Sequence, residues 1–215
     1  MAKRSPPVPL YESPPGKPWC GPTVAKMVLE CHGKHISIAE IARRTSASGG
    51  VWIPAMGLLF IRLGLNVTIY GWNNTFPSRF MDVADDKIKE QLIQWSRRRK
   101  NIKARGLRSN RLAFYRYLIN GGNFSPRIYE GFSIRKLQAA LQRNEPPIIN
   151  VMAAPMWGEW DRVRNVEHYV VLTKITSKIS VIHDPAYGRV ELPTDLLRFA
   201  CFNAAESSVM YIGRK

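Results

Sequence analysis

Hydrophobic positions recur at helical spacing along the first part of the chain and gather into strand-like runs in the last third. After Cys20, residues Val24, Met27, Val28 and Cys31 fall at i, i+3, i+4 and i+7, one buried helical face that Gly33 ends. Ser37 and Glu40 have the spacing of a capping box and open a short helix through Arg44. Ser46 to Gly50 reads as a loop. Pro54 starts another helix, with Met56, Leu59, Phe60 and Leu63 inward and Gly64 at its end. Asn66 to Tyr70 alternates as a strand does, and Asn73 to Pro77 is a loop. Helices follow over 87–99, with Ile88, Leu92 and Trp95 on one face, and over 111–119. Ser133 caps one more, with Leu137, Ala140 and Leu141 inward, running to Arg143.

From Pro147 the pattern changes. Residues 147–152, 168–175, 178–183 and 190–192 are rich in Val and Ile and read as strands. Thr194 starts a short helix, and 208–212 closes the chain as a strand. Helices first and consecutive strands after predict an α+β domain, a helical half packed on an antiparallel sheet. A length of 215 residues fits one domain, and the 45% hydrophobic content is enough for a sizeable core.

Composition narrows the options. No uninterrupted apolar run reaches the ~18 residues of a membrane span. Residues 1–18 are proline-rich and extended. The basic start has no apolar region behind it, so the expected location is the cytoplasm, or export by a route without a standard signal peptide. Cys20, Cys31 and Cys201 have neither metal-ligand spacing nor an even count, so no disulfide framework, metal site or organic cofactor is implied. A formal net charge of +16 calls for an anionic partner or surface.

The chemistry starts at Cys20. It lies at or just before a helix N-terminus, where unpaired N–H groups and the helix dipole favour a thiolate. Its partners lie in the strand-rich third. His168 opens a run of strong β-formers, and Asp184 ends the next strand at an Asp-Pro turn. Two antiparallel strands joined near Ser177 bring both to one end of the sheet, where an acid can orient an imidazole toward a nucleophile. Alternation turns the neighbouring His183 away from that face.

The run Trp19-Cys20-Gly21-Pro22-Thr23 with Met27-Val28-Leu29 and His32-Gly33 resembles the nucleophile segment of the papain-like cysteine peptidases. More narrowly it is similar to the bacteriocin-processing branch, which cleaves after double-glycine leader peptides. Ser48-Gly49-Gly50, Met56-Gly57, Pro146-Pro147-Ile148-Ile149, His168-Tyr169-Val170-Val171 and Asp184-Pro185 with Gly188 continue the resemblance over about residues 8–70 and 133–192. It implies a papain-like fold with Cys20, His168 and Asp184 as the catalytic set, and a peptide or protein substrate, acidic if it answers the chain's charge. Two positions depart from the pattern. The family carries an oxyanion-holding glutamine before the cysteine, and the nearest residue here is Glu12; Lys17 and Trp19 complete that region. The residue before the histidine is usually Gly, and here it is Glu167.

Residues 72–130 form an insertion into this pattern. Between Trp95 and Tyr117 stand nine basic residues (97, 98, 99, 100, 103, 105, 108, 111 and 116) and no acid, interleaved with Phe114 and Tyr115. Arg97, Arg98, Arg99, Lys100, Lys103 and Arg105 are the candidates for holding an anionic partner, a nucleic acid or an acidic protein. The expectation is a cysteine-nucleophile hydrolase or acyltransferase working through a thioester on a peptide or other amide. The alternative is a catalytically silent papain-like protein that binds an anionic partner through the insertion.

Overall fold

A computed structural model describes residues 7–47, 50–71, 83, 85–98, 105–157 and 166–215. Helices α1 (Cys20–Cys31), α2 (Ile38–Thr45) and α3 (Ile53–Arg62) lead into strand β1 (Leu65–Gly71). The expected insertion supplies α4 (Asp85–Arg98), α5 (Arg105–Ile119) and a short β2 (Asn123–Ser125). After α6 (Ile128–Gly131) and α7 (Ile134–Gln142) come β3 (Ile148–Met152), α8 (Ala153–Trp157), β4 (Glu167–Ile175), β5 (Ile179–Asp184) and β6 (Gly188–Pro193). Helix α9 (Thr194–Phe202) and β7 (Ser208–Arg214) close the chain.

The strands form one sheet in the order β2-β1-β7-β3-β4-β5-β6. Its pairs are antiparallel except β1 with β2, which run parallel. The sheet is buried on both faces. Ile148, Tyr169, Val171 and Met210 pack with α1, α3 and α5, whereas their neighbours Ile149, Val170, Leu172 and Val209 pack with α7 and α9. The two-residue period of a strand sorts these side chains between layers. Burial on both sides is also why β3 and β4 read as unbroken apolar runs rather than alternating ones. The α+β class therefore holds, with helices on two faces of the sheet instead of one.

Local signals explain most helix ends. Ser37 caps α2, its hydroxyl accepting from the Glu40 N–H at 3.2 Å, but the Glu40 carboxylate turns to Arg43 and Arg44. Gly33, at φ +69°, ends α1 in a conformation other residues adopt only with strain. Ser133 sits at the N-cap of α7 without making a side-chain cap bond.

The segment expected as an insertion is part of the main core. Ile88 and Leu92 of α4, and Phe114, Tyr117 and Leu118 of α5, are buried with residues of α1 and α3. The Tyr117 hydroxyl shares its one proton between the carbonyls of Val67 (3.1 Å) and Asn123 (2.6 Å), fixing α5 to β1 and β2. Among the described residues no helix is long and apolar enough to cross a membrane.

Candidate active site

Helix α1 begins at Cys20 itself. The Thr23 N–H already donates to Trp19 O at 2.9 Å, and Pro22 has no N–H. The unpaired donors of the first turn are thus those of Cys20 and Gly21. Gly21 allows the helix start to press on the loop before α3. A Cβ there would come within 2.0 Å of Val51 Cγ1 and 3.4 Å of the Tyr169 ring. The Tyr169 hydroxyl donates to Val51 O at 3.0 Å and holds that loop in place.

His168 and Asp184 meet as the strand pairing requires, at the start of β4 and the end of β5. His168 Nε2 lies 3.0 Å from Asp184 Oδ1. Asp184 is wholly buried, and the same oxygen accepts the N–H groups of Ala186 (2.7 Å) and Tyr187 (3.1 Å). A carboxylate held by three donors is fixed in place and can dictate the imidazole's orientation. With Nε2 engaged there, Nδ1 is left for Cys20, to which His168 is hydrogen-bonded.

The electrostatics follow from that contact. Burial works to raise the Cys20 pKa, but the hydrogen bond and charge of His168, with backbone N–H groups of Tyr169 and Gly21, outweigh it and leave the thiol below its ordinary value. Burial likewise works against a charged His168, yet Asp184 and Cys20 together raise its pKa well above the ordinary imidazole range. Both directions favour a thiolate–imidazolium pair.

The proline-rich N-terminal segment joins these elements. The Ser13 N–H donates to Pro185 O at 2.8 Å, and its hydroxyl donates to Thr23 Oγ1 at 3.2 Å. Thr23 Oγ1 in turn donates to Trp19 O at 2.8 Å. Ser13 thereby links the turn after Asp184 to the helix that carries Cys20. His183 points elsewhere, its Nδ1 against Pro9 O at 3.3 Å.

Against this geometry stand the comparisons with known proteins. Residues 6–206 match the model of the Peptidase_C39-like family. The chain belongs to that family. Two solved structures share its fold at low identity. One is the peptidase domain of Streptococcus ComA, a bifunctional ABC transporter of a quorum-sensing pathway, with 13% identity, 97% of this chain and 99% of that one covered, and a TM-score of 0.50. The other is a double glycine motif protease from an AMS/PCAT transporter in complex with a leader peptide, with 16% identity, 100% and 97% covered, and a TM-score of 0.52. No curated protein matches the chain.

Of the residues expected around the site in this C39-like protein, Glu12 is exposed and lies between Tyr11, which donates to Glu30 at 2.7 Å, and Ser13. Lys17 sits over the Trp19 ring at 5.8 Å. Arg99, Lys100 and Lys103 lie outside the described residues, as do the side chains of Arg97, Arg98 and Arg105. Cys31 and Cys201 are buried, their pKa values pushed up to about 11 and about 12 mainly by desolvation.

A cleft opens beside Cys20 that the sequence did not announce. Trp52, Arg62 at the end of α3, Leu112 and Arg116 of α5, Val166 and Glu167 are among the residues that line it. Glu167 accepts the Glu206 N–H at 2.6 Å. Its departure from the usual glycine was the available signal. Arg116 was visible only as one of many insertion charges. Arg62 carried no signal beyond ending a helix. Among the described residues no cluster of three or more His, Cys, Asp or Glu could hold a metal ion. The arrangement sets a thiol, an imidazole and a buried carboxylate in one chain of contacts beside an open cleft.

Proposed function

We propose that this protein is a cysteine peptidase that cleaves a peptide amide through a thioester on Cys20. The observation that carries the reading is His168, bonded to Asp184 by Nε2 and to Cys20 on its other side. The Cys20 thiolate attacks the scissile carbonyl, and the C–N bond breaks as imidazolium His168 gives its proton to the departing amine. Neutral His168 then takes a proton from water, which attacks the thioester; the acid leaves and Cys20 returns as thiolate beside a protonated His168. The Cys20 N–H, unpaired within its own helix, stabilises the tetrahedral oxyanion. Membership of the Peptidase_C39-like family supports this chemistry. Likeness to a double glycine motif protease that binds a leader peptide supports a peptide cut after small residues. Neither comparison gives a nucleic-acid ligand any support.

The silent-binder reading draws on one feature, Glu12 in place of the family's amide donor. Trapping separates the two. A peptide library is incubated with the protein, quenched in acid and digested, and the Cys20 fragment is weighed. The proposal expects an acyl adduct on Cys20 that hydroxylamine removes and that His168→Ala lacks. An unmodified Cys20, with no cleaved peptide, would favour the silent binder.

A further inference from the structure

Asp184 is held by one oxygen only. Its three donors, His168 Nε2 and the N–H groups of Ala186 and Tyr187, all reach Oδ1. Oδ2 is buried and accepts from no donor among the described residues. A buried carboxylate oxygen is costly in that condition, and a donor offsets the cost. The complementary atom is Nε1 of Trp157, the last residue of α8, which is also buried and without an acceptor among the described residues. An indole N–H can only donate. The course of the chain brings the two to one place. Helix α8 leaves β3 at Met152, which pairs with Glu167 at the start of β4. At its other end the Trp157 ring stacks on Tyr187, in the turn after Asp184, with centroids 4.1 Å apart and planes at 27°. Because β4 lies between β3 and β5 in the sheet, α8 crosses the start of β4 and the end of β5, where His168 and Asp184 sit. It crosses on their face. Trp157 packs against the cluster that holds Val170 and Ile182, and alternation puts His168 with Val170 and Asp184 with Ile182. Asn150 Oδ1 and Ser208 Oγ are likewise buried without a partner, but they follow Ile148 and Met210 onto the opposite face.

Resting on the peptidase reading above, we infer that Trp157 is a positioning residue for the reaction: its indole N–H, through one bridging water, supplies Asp184 Oδ2 with a donor and completes the hold on the carboxylate that orients His168. The two atoms are not in direct hydrogen-bond contact, which makes a single water the link. With Oδ1 alone anchored, the carboxylate can pivot about that oxygen and carry the imidazole with it. A second anchor, on Oδ2, removes that freedom. The stack on Tyr187 serves the same end, since Tyr187 supports the indole and also donates its backbone N–H to Oδ1. Acting through Asp184, Trp157 should govern kcat and leave KM alone.

The test removes the N–H and keeps the ring. Trp157→benzothienylalanine, introduced by amber suppression, puts sulfur in place of the indole N–H in a ring of nearly the same shape. Trp157→Phe is the genetic counterpart. On a cleaved peptide, either should lower kcat roughly tenfold with KM unchanged, as expected for losing one hydrogen bond to a charged group. In an Asp184→Asn background the same replacement should cost less than about twofold, because the charge it served is gone. The link is also read without turnover. In ¹⁵N-labelled resting protein, the Trp157 indole cross-peak, identified by its loss in Trp157→Phe, should move upfield in Asp184→Asn. An undiminished kcat in the sulfur isostere overturns the inference. So does a loss of the same size in the Asp184→Asn background, which packing alone would give, or an indole cross-peak that Asp184→Asn leaves unmoved. A failed peptidase reading shows separately, as wild-type protein that leaves every peptide uncut; the indole cross-peak then decides the inference by itself.

Discussion

Cys20 and Cys31 stand at the two ends of one helix, and their chemistry runs in opposite directions. Cys20 meets unpaired N–H groups and the positive end of the α1 dipole, with His168 beyond them. Cys31 ends the same helix, its S–H donates a hydrogen bond to Met27 O at 3.4 Å, and the Glu30 carboxylate lies beside it. Burial works to raise both thiols. It prevails at Cys31, where Glu30 adds to it and the pKa rises to about 11, and it is overcome at Cys20. What sets the two thiols apart here is His168, which lowers one pKa, not burial and not the helix alone.

The strongest way to break the comparison is to remove that partner. His168→Ala should lower kcat/KM for a cleaved peptide roughly 10²- to 10⁴-fold and return Cys20 to slow, Cys31-like alkylation. A rate unchanged by the substitution would mean the wrong histidine has been assigned.

Asp184→Asn sharpens the comparison at one remove. It takes away a charge that raises the His168 pKa while burial continues to lower it. Loss of the imidazolium proton ends leaving-group protonation, so the alkaline limb of the pH–rate profile should move to lower pH. The drop in kcat should not exceed that of His168→Ala, since the ring still lies beside Cys20. A pH–rate series on both proteins checks the direction.

At the other end of the helix, Glu30→Gln removes the lesser of the two causes that raise the Cys31 pKa. Desolvation remains, so Cys31 labelling should quicken by less than about tenfold and stay far behind Cys20. The smallest effect is expected at Glu12. It is exposed, and in the proposed mechanism the backbone N–H of Cys20 serves the oxyanion, so Glu12→Gln should give no gain of the ~10² to 10³ size that a new hole donor brings. Steady-state kcat reads this directly.

How much of this was legible depended on the range of the signal. Cys20, His168 and Asp184 each sit beside a local marker, a helix start, a strand start and an Asp-Pro turn, and the meeting of His168 with Asp184 followed from strand pairing. Helix α2 and strands β3 to β7 were equally readable from caps and apolar runs. The parallel strand β2 was not, because three residues, Asn123–Ser125, show no periodicity and are held by long-range pairing to Thr68 and Tyr70. Helix α8 contains Pro155, which argues against a helix, and is packed through Met156 with α9. The basic stretch read as an insertion, with charge dominating its composition. The deciding residue there, Tyr117, reveals its place only through hydrogen bonds to strands 50 residues before it and 6 after it. Arg62 and Arg116 read as surface residues in sequence and line one cleft only because α3 and α5 lie side by side.

The central claim is a thiolate at Cys20 sustained by His168. Native protein is alkylated with iodoacetamide from about pH 5 to 10, and the rates at Cys20, Cys31 and Cys201 are mapped separately by mass spectrometry. The account predicts that Cys20 already labels fast near pH 6, with its midpoint below the ordinary thiol value near 8.5, while Cys31 and Cys201 stay unlabelled across the range. Equal labelling of the three cysteines, or a Cys20 midpoint at or above that value, would contradict it.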